Sequence, residues 1–121
     1  MPIINGRTTS VLARDVERAE TRQARRRGLL GRDRLDKSAA LVLSPCFAIH
    51  TAFMRFPIDV IFVDRYGFVT KVVRNLGPWR IAVAPGANRA IELSGGVLSR
   101  DDVRVGDPLD VIAGGTAVAA A

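Results

Sequence analysis

The run Val60-Ile61-Phe62-Val63-Asp64-Arg65-Tyr66-Gly67-Phe68-Val69-Thr70-Lys71-Val72-Val73-Arg74 decides the fold class. Val60 to Val63 is a continuous apolar run too short for a helix, and Phe68 to Arg74 is rich in β-branched side chains. Both patterns favour strands. Between them, Asp64 and Gly67 occupy the first and fourth positions of a type I turn, so the two runs read as a hairpin.

The same reading extends in both directions. Thr8 to Ala13, Ala40 to Leu43, Ile81 to Ala84, Ala90 to Leu93 and Leu109 to Ile112 are further strand candidates. Pro45, Pro78, Pro85-Gly86 and Gly95-Gly96 mark loops, and Val105-Gly106-Asp107-Pro108 turns into the last strand. The helical signal runs from Val16 to Leu30, with acids early, Arg25, Arg26 and Arg27 late, and Gly28 or Gly31 as its stop. Ser99 followed by Asp102 can cap a short helical turn over Ser99 to Val103. Strand–helix–strand alternation does not recur, which argues against a doubly wound parallel sheet. The expected fold is mainly β: a compact antiparallel barrel or jelly-roll-like sandwich with one N-terminal α-helix and a short C-terminal helical turn. The length of 121 residues suits one domain, with a core over about residues 8–112 and a small, uncharged, frayed tail at 114–121.

Composition removes several function classes. The longest mostly apolar stretch, Ala39 to Ile49, contains Ser44 and Pro45 and is too short to cross a membrane as a helix. The N-terminus lacks the order of a signal peptide, so a cytoplasmic location is the simplest expectation. One cysteine, Cys46, allows no internal disulfide or cysteine-based zinc cluster, and His50 is the single histidine. No metal and no cofactor is therefore expected, and no phosphate loop, dinucleotide fingerprint or serine elbow is present. The net charge is +6, and residues 14–37 carry nine basic against five acidic side chains, so most of the excess sits there. On one helix, Arg14, Arg18, Arg22 and Arg26 would form a stripe able to meet phosphate. A solvated face is the favoured reading, because aromatic interleaving and a basic tail are missing.

The stretch Cys46-Phe47-Ala48-Ile49-His50-Thr51-Ala52-Phe53-Met54-Arg55-Phe56-Pro57-Ile58-Asp59 concentrates the chemistry-bearing side chains. Cys, His and Asp could form a nucleophile, its base and an orienting acid. If residues 47–54 are extended, however, Cys46 and His50 share a face but stand roughly 13 Å apart, too far to act as a pair. A solitary histidine there also fits a structural role tying down a loop. An Asp entering a core strand needs a partner, and Arg27, Arg55 and His50 are candidates for Asp59. Met54 and Phe56 read as core, and Trp79-Arg80 as a stacking platform or the cover of one barrel end.

Four blocks taken together, Arg26 to Arg32, His50 to Asp64, Ile91 to Gly96 and Val105 to Asp107, resemble the bacterial and archaeal family named domain of unknown function 192. The resemblance implies a compact β-barrel or jelly-roll-like domain with one helix, and it implies no established activity. Many members carry a Trp-Met-Lys-Asn-Thr block where this chain has His50 to Arg55, so the family pattern does not require His50. The leading expectation is a non-enzymatic binding or accessory domain for a small polar or anionic ligand, with Arg27, Gly28, His50, Thr51, Arg55 and Asp59 at its site. The alternatives are a hydrolase or transferase using His50 and Asp59, with or without Cys46, and a nucleic-acid-associated protein using the Arg-rich helix.

Overall fold

The structure, a computed structural model, describes residues 2–98 and 101–111. In chain order its elements are β1 (Ile3–Asn5), β2 (Val11–Ala13), β3 (Asp15–Ala19), α1 (Arg22–Arg27), β4 (Ala39–Leu43), β5 (Ala48–His50), β6 (Ile58–Val63), β7 (Val69–Leu76), β8 (Ile81–Val83), β9 (Arg89–Ser94) and β10 (Leu109–Val111). The hairpin forms between β6 and β7, with the Gly67 N–H donating to the Asp64 carbonyl (3.1 Å). The Asp64 Oδ1 accepts from the backbone N–H of Tyr66 (2.9 Å) and Phe68 (3.0 Å), which fixes the turn.

Among the described residues the fold is mainly β with one N-terminal helix, and the strands make no closed barrel. Their ladders divide into a five-stranded sheet ordered β3-β4-β9-β6-β7, a three-stranded sheet ordered β10-β1-β2, and the pair β5-β8. The large sheet is mixed rather than antiparallel, because β3 runs parallel to β4. Its inner strand β6 is buried along its whole length. A continuous apolar run is what a strand covered on both faces requires.

The two faces carry separate cores. On one face, Ala40, Val42, Ile61, Ile91 and Leu93 pack with Ile3, Leu12 and Leu109 of the three-stranded sheet. On the other, Leu41, Leu43, Val60 and Phe62 pack with Leu29 and Leu35, which follow the helix, and with Ile49 and Ala82 of the β5-β8 pair. Residues directly opposite in a ladder point to the same face. Asp59 lies opposite Leu93 and Glu92 opposite Val60, so these two buried acids project from opposite sides of the sheet.

The expected helix over Val16 to Leu30 is corrected. Asp15 to Ala19 is a strand paired residue for residue with Ala39 to Leu43, and the helix is limited to Arg22–Arg27. Pairing with β4, which buries Ala19 to 2% exposure, outweighs the helical spacing of the apolar side chains. The Thr21 Oγ1 accepts from the Ala24 N–H (3.0 Å) and caps the helix start. Gly28 ends it at φ 48°, in the left-handed region that glycine adopts without strain. Arg14 and Arg18 therefore stand outside the helix that holds Arg22 and Arg26, and no four-member helical stripe exists. The strand expected over Thr8 to Ala13 is shortened to β2, Val11–Ala13, because Thr8 to Ser10 belong to the connection from β1. Of the helical turn expected over Ser99 to Val103, Ser99 and Arg100 lie outside the described residues, as does the tail at 114–121. Residues 101–102 form a turn.

One loop contact permits a direct stability test. A Cβ on Gly95 would stand 2.8 Å from the Pro57 carbonyl oxygen and 3.0 Å from its carbon, both backbone atoms. Gly95→Ala is expected to cost about 2 kcal/mol through forced displacement of that turn. Urea denaturation should show a lower midpoint with an unchanged slope; an unchanged midpoint would mean the turn yields freely.

Candidate functional site

Between α1 with its following turn and strand β5 lies a cleft of about 400 Å³. Its walls are apolar, from Leu29, Leu30, Leu43, Ile49 and Met54, while Arg22, Arg26 and Arg27 stand on the helix side. The side chains of these three exposed arginines make no hydrogen bond or ion pair among the described residues, so their positive charge is available to the cleft. Arg25 is committed, donating to the backbone carbonyls of Glu20 (2.7 Å) and Ser44 (3.3 Å).

Cys46 and His50 line the opposite wall. The extended stretch expected over residues 47–54 is shorter: β5 ends at His50, and the chain then turns, with the Met54 N–H donating to the Thr51 carbonyl (3.1 Å). The Cys46 thiol donates to the Ala48 carbonyl (3.1 Å). Burial pushes its pKa up, and the nearby Glu92 charge adds to that rise. The thiol is held protonated, the reverse of what a thiolate nucleophile needs. The His50 Nδ1 accepts from the Ala52 N–H (3.3 Å), which leaves Nε2 to carry the proton of the neutral ring.

The floor of the cleft holds a residue that the sequence reading left out of the site. Glu92 on β9 is 3% exposed, lines the cleft, and has an Oε1 with no hydrogen-bond partner among the described residues. Burial pushes its carboxyl up to about 7, against an opposing pull from the Arg32 charge. A Cβ placed on Gly28 would stand 3.8 Å from that oxygen, an ordinary van der Waals distance, so the helix-ending glycine packs beside the carboxyl. The signal was present in the sequence as a single acid inside the apolar run Ala90 to Leu93, at the centre of a strand with no polar alternation.

Of the six site residues expected from sequence, the structure places Arg27, Gly28 and His50 on the cleft; Thr51, Arg55 and Asp59 are not among its lining residues. Thr51 is fully buried and joins two loops: its Oγ1 donates to the Gly77 carbonyl (2.6 Å) and accepts from the Arg80 N–H (2.8 Å). The Thr51 carbonyl also accepts from Trp79 N–H (3.0 Å). Those loops hold Phe53 and Trp79 at φ 64° and 63°, with ring centroids 4.6 Å apart on the surface. Arg55 pairs with Asp33 (2.6 Å) in solvent. Asp59 faces the other side of the sheet and accepts three backbone N–H bonds, from Asn75 (2.8 Å), Gly96 (3.0 Å) and Leu98 (2.9 Å). It meets its need for a partner through amides rather than through Arg27, Arg55 or His50. His50 and Asp59 are thus separated by the sheet and supply no dyad.

Among the described residues no cluster of three or more His, Cys, Asp or Glu side chains could hold a metal ion, and no helix is long and apolar enough to cross a membrane. Two solved structures share the fold. A protein of unknown function from Novosphingobium aromaticivorans matches 91% of this chain and 84% of its own at 24% identity, with a TM-score of 0.79. A proposed transcription regulator from Sinorhizobium meliloti matches 90% of this chain and 89% of its own at 20% identity, with a TM-score of 0.78. At these identities the likeness concerns the fold alone. No match was found among curated proteins. The family model DUF192, described as Uncharacterized ACR, matches residues 3–111, and the chain belongs to that family.

Proposed function

We propose that this chain is a non-enzymatic binding domain whose site is the cleft between α1 and β5, and that it takes a small anionic molecule with an apolar body. The carrying observation is the pairing of three uncommitted arginines, Arg22, Arg26 and Arg27, with an apolar-walled space of about 400 Å³. That volume lies in the range of small-molecule sites. Guanidinium groups hold carboxylate or phosphate oxygens through paired N–H donors, and the leucines and Met54 would shelter the remainder of the ligand. A binding role also suits the protonated Cys46 and the separation of His50 from Asp59, neither of which assembles a reacting centre.

Thermal unfolding in the presence of hexanoate, phenylacetate and inorganic phosphate tests this. A ligand at ten times its dissociation constant stabilises by about 1.4 kcal/mol, or roughly 5 °C for a domain of this size. Hexanoate or phenylacetate is expected to raise Tm by that order, and the double variant Arg26→Ala/Arg27→Ala is expected to lose most of the rise. No shift with any of the three probes would refute the proposal.

A further inference from the structure

We propose that Glu92 is the specificity-determining residue of this cleft, and that it selects anionic ligands bearing a neutral hydrogen-bond donor, a hydroxyl or carboxamide, at the end remote from the anion. This inference rests on the binding reading above and adds the ligand's second polar group. Its basis is the Oε1 of a side chain that is 3% exposed, lines the cleft, and has no hydrogen-bond partner among the described residues. A buried acceptor without a donor is costly and uncommon in folded proteins. Glu92 lines the cleft, so a ligand seated there can bring the missing donor to its carboxyl.

The donor's chemistry follows from the charges around it. Arg22, Arg25, Arg26 and Arg27 all line the same cleft. A cation without a compensating anion would enter against four positive charges, so a simple amine is excluded on electrostatic grounds. An anion alone satisfies the arginines and leaves Oε1 unpaired. A molecule with an anionic end, an apolar middle and a neutral donor satisfies both ends. Sites built to pair with a ligand hydroxyl discriminate strongly against the analogue that lacks it.

Matched probes decide the matter. Affinities of hexanoate and 6-hydroxyhexanoate, and of phenylacetate and 4-hydroxyphenylacetate, are measured by titration calorimetry on the full chain. The hydroxylated member of at least one pair is expected to bind about tenfold or more tightly. Glu92→Met, which replaces the carboxyl with an apolar group of similar length, is expected to bring the affinity ratio within each pair to about one. If the parent anions bind and neither hydroxyl improves affinity, the role of Glu92 is overturned and the binding proposal stands. A hydroxyl gain that persists in Glu92→Met overturns it as well. If no probe binds, both fall. The comparison of matched ligands on the unaltered protein does not depend on the variant folding.

Discussion

Asp59→Ala is expected to destabilise the protein by about 4 kcal/mol, the largest effect of any single side-chain truncation considered. The Asp59 carboxylate is fully buried, and its two oxygens accept from three backbone N–H groups contributed by Asn75, Gly96 and Leu98. Asn75 lies near the end of β7, and Gly96 and Leu98 lie in the loop after β9, so one side chain on β6 ties that loop to the end of the neighbouring strand. Each buried donor left unpaired costs about 1–3 kcal/mol, more where the lost acceptor was charged. The total approaches the whole stability of a typical domain, about 5–15 kcal/mol. Asp59→Asn separates geometry from charge. It can keep an oxygen toward Asn75 and Gly96 but turns an NH2 toward the Leu98 N–H, so it is expected to cost about half as much. Guanidinium denaturation of the three proteins checks both values, and an alanine variant within 1 kcal/mol of the parent would show that the loop reorganises around the loss.

This role for Asp59 explains why the sequence was only partly legible. The β6–β7 hairpin could be read because its signals are local: a β-branched run, Asp64 and Gly67 at the turn, and a second run. The short spacing between His50 and Asp59, with eight residues between them, suggested that they share a site. In the fold they are separated by a turn at Thr51 to Met54 and by the alternation of a strand, which sends Asp59 through to the far face. Face assignment depends on register, and register is a tertiary property that spacing in sequence does not fix. The strand β3 was hidden for a related reason. Asp15 to Ala19 has weak intrinsic preference and takes its conformation from its parallel partner β4, twenty-four residues away. The capping hydroxyl of Thr21 was the one local sign of where the helix begins. Glu92 was visible as a lone acid in an apolar run, but its meaning needed the cleft that α1 and β5 build over it.

Glu92 also sets an expected pH dependence with an unusual sign for a carboxyl. Most native carboxyls are held below their ordinary value and stabilise the fold as pH rises. Asp107 does this here: the Nε–H of Arg7 (2.7 Å), the Asn5 amide (2.9 Å) and the Arg104 N–H (2.8 Å) push it down to about 2. Its contribution is present above its ordinary value of 3.8 and is lost as pH falls toward 2. Glu92 works in the opposite direction, because burial raises its carboxyl from 4.5 to about 7. Between those values the native state holds a proton that the unfolded chain has released, so raising the pH favours unfolding. A difference of that size corresponds to about 3 kcal/mol lost between pH 4.5 and pH 7. Glu92→Gln carries no such proton. It is expected to match the parent near pH 4.5, to exceed it by about 2–3 kcal/mol at pH 8, and to show a flat profile where the parent declines. Urea unfolding across that range measures both curves. Parallel curves would mean that Glu92 is solvated or paired in solution, and the orphaned oxygen on which the cleft's selectivity depends would then have a partner already.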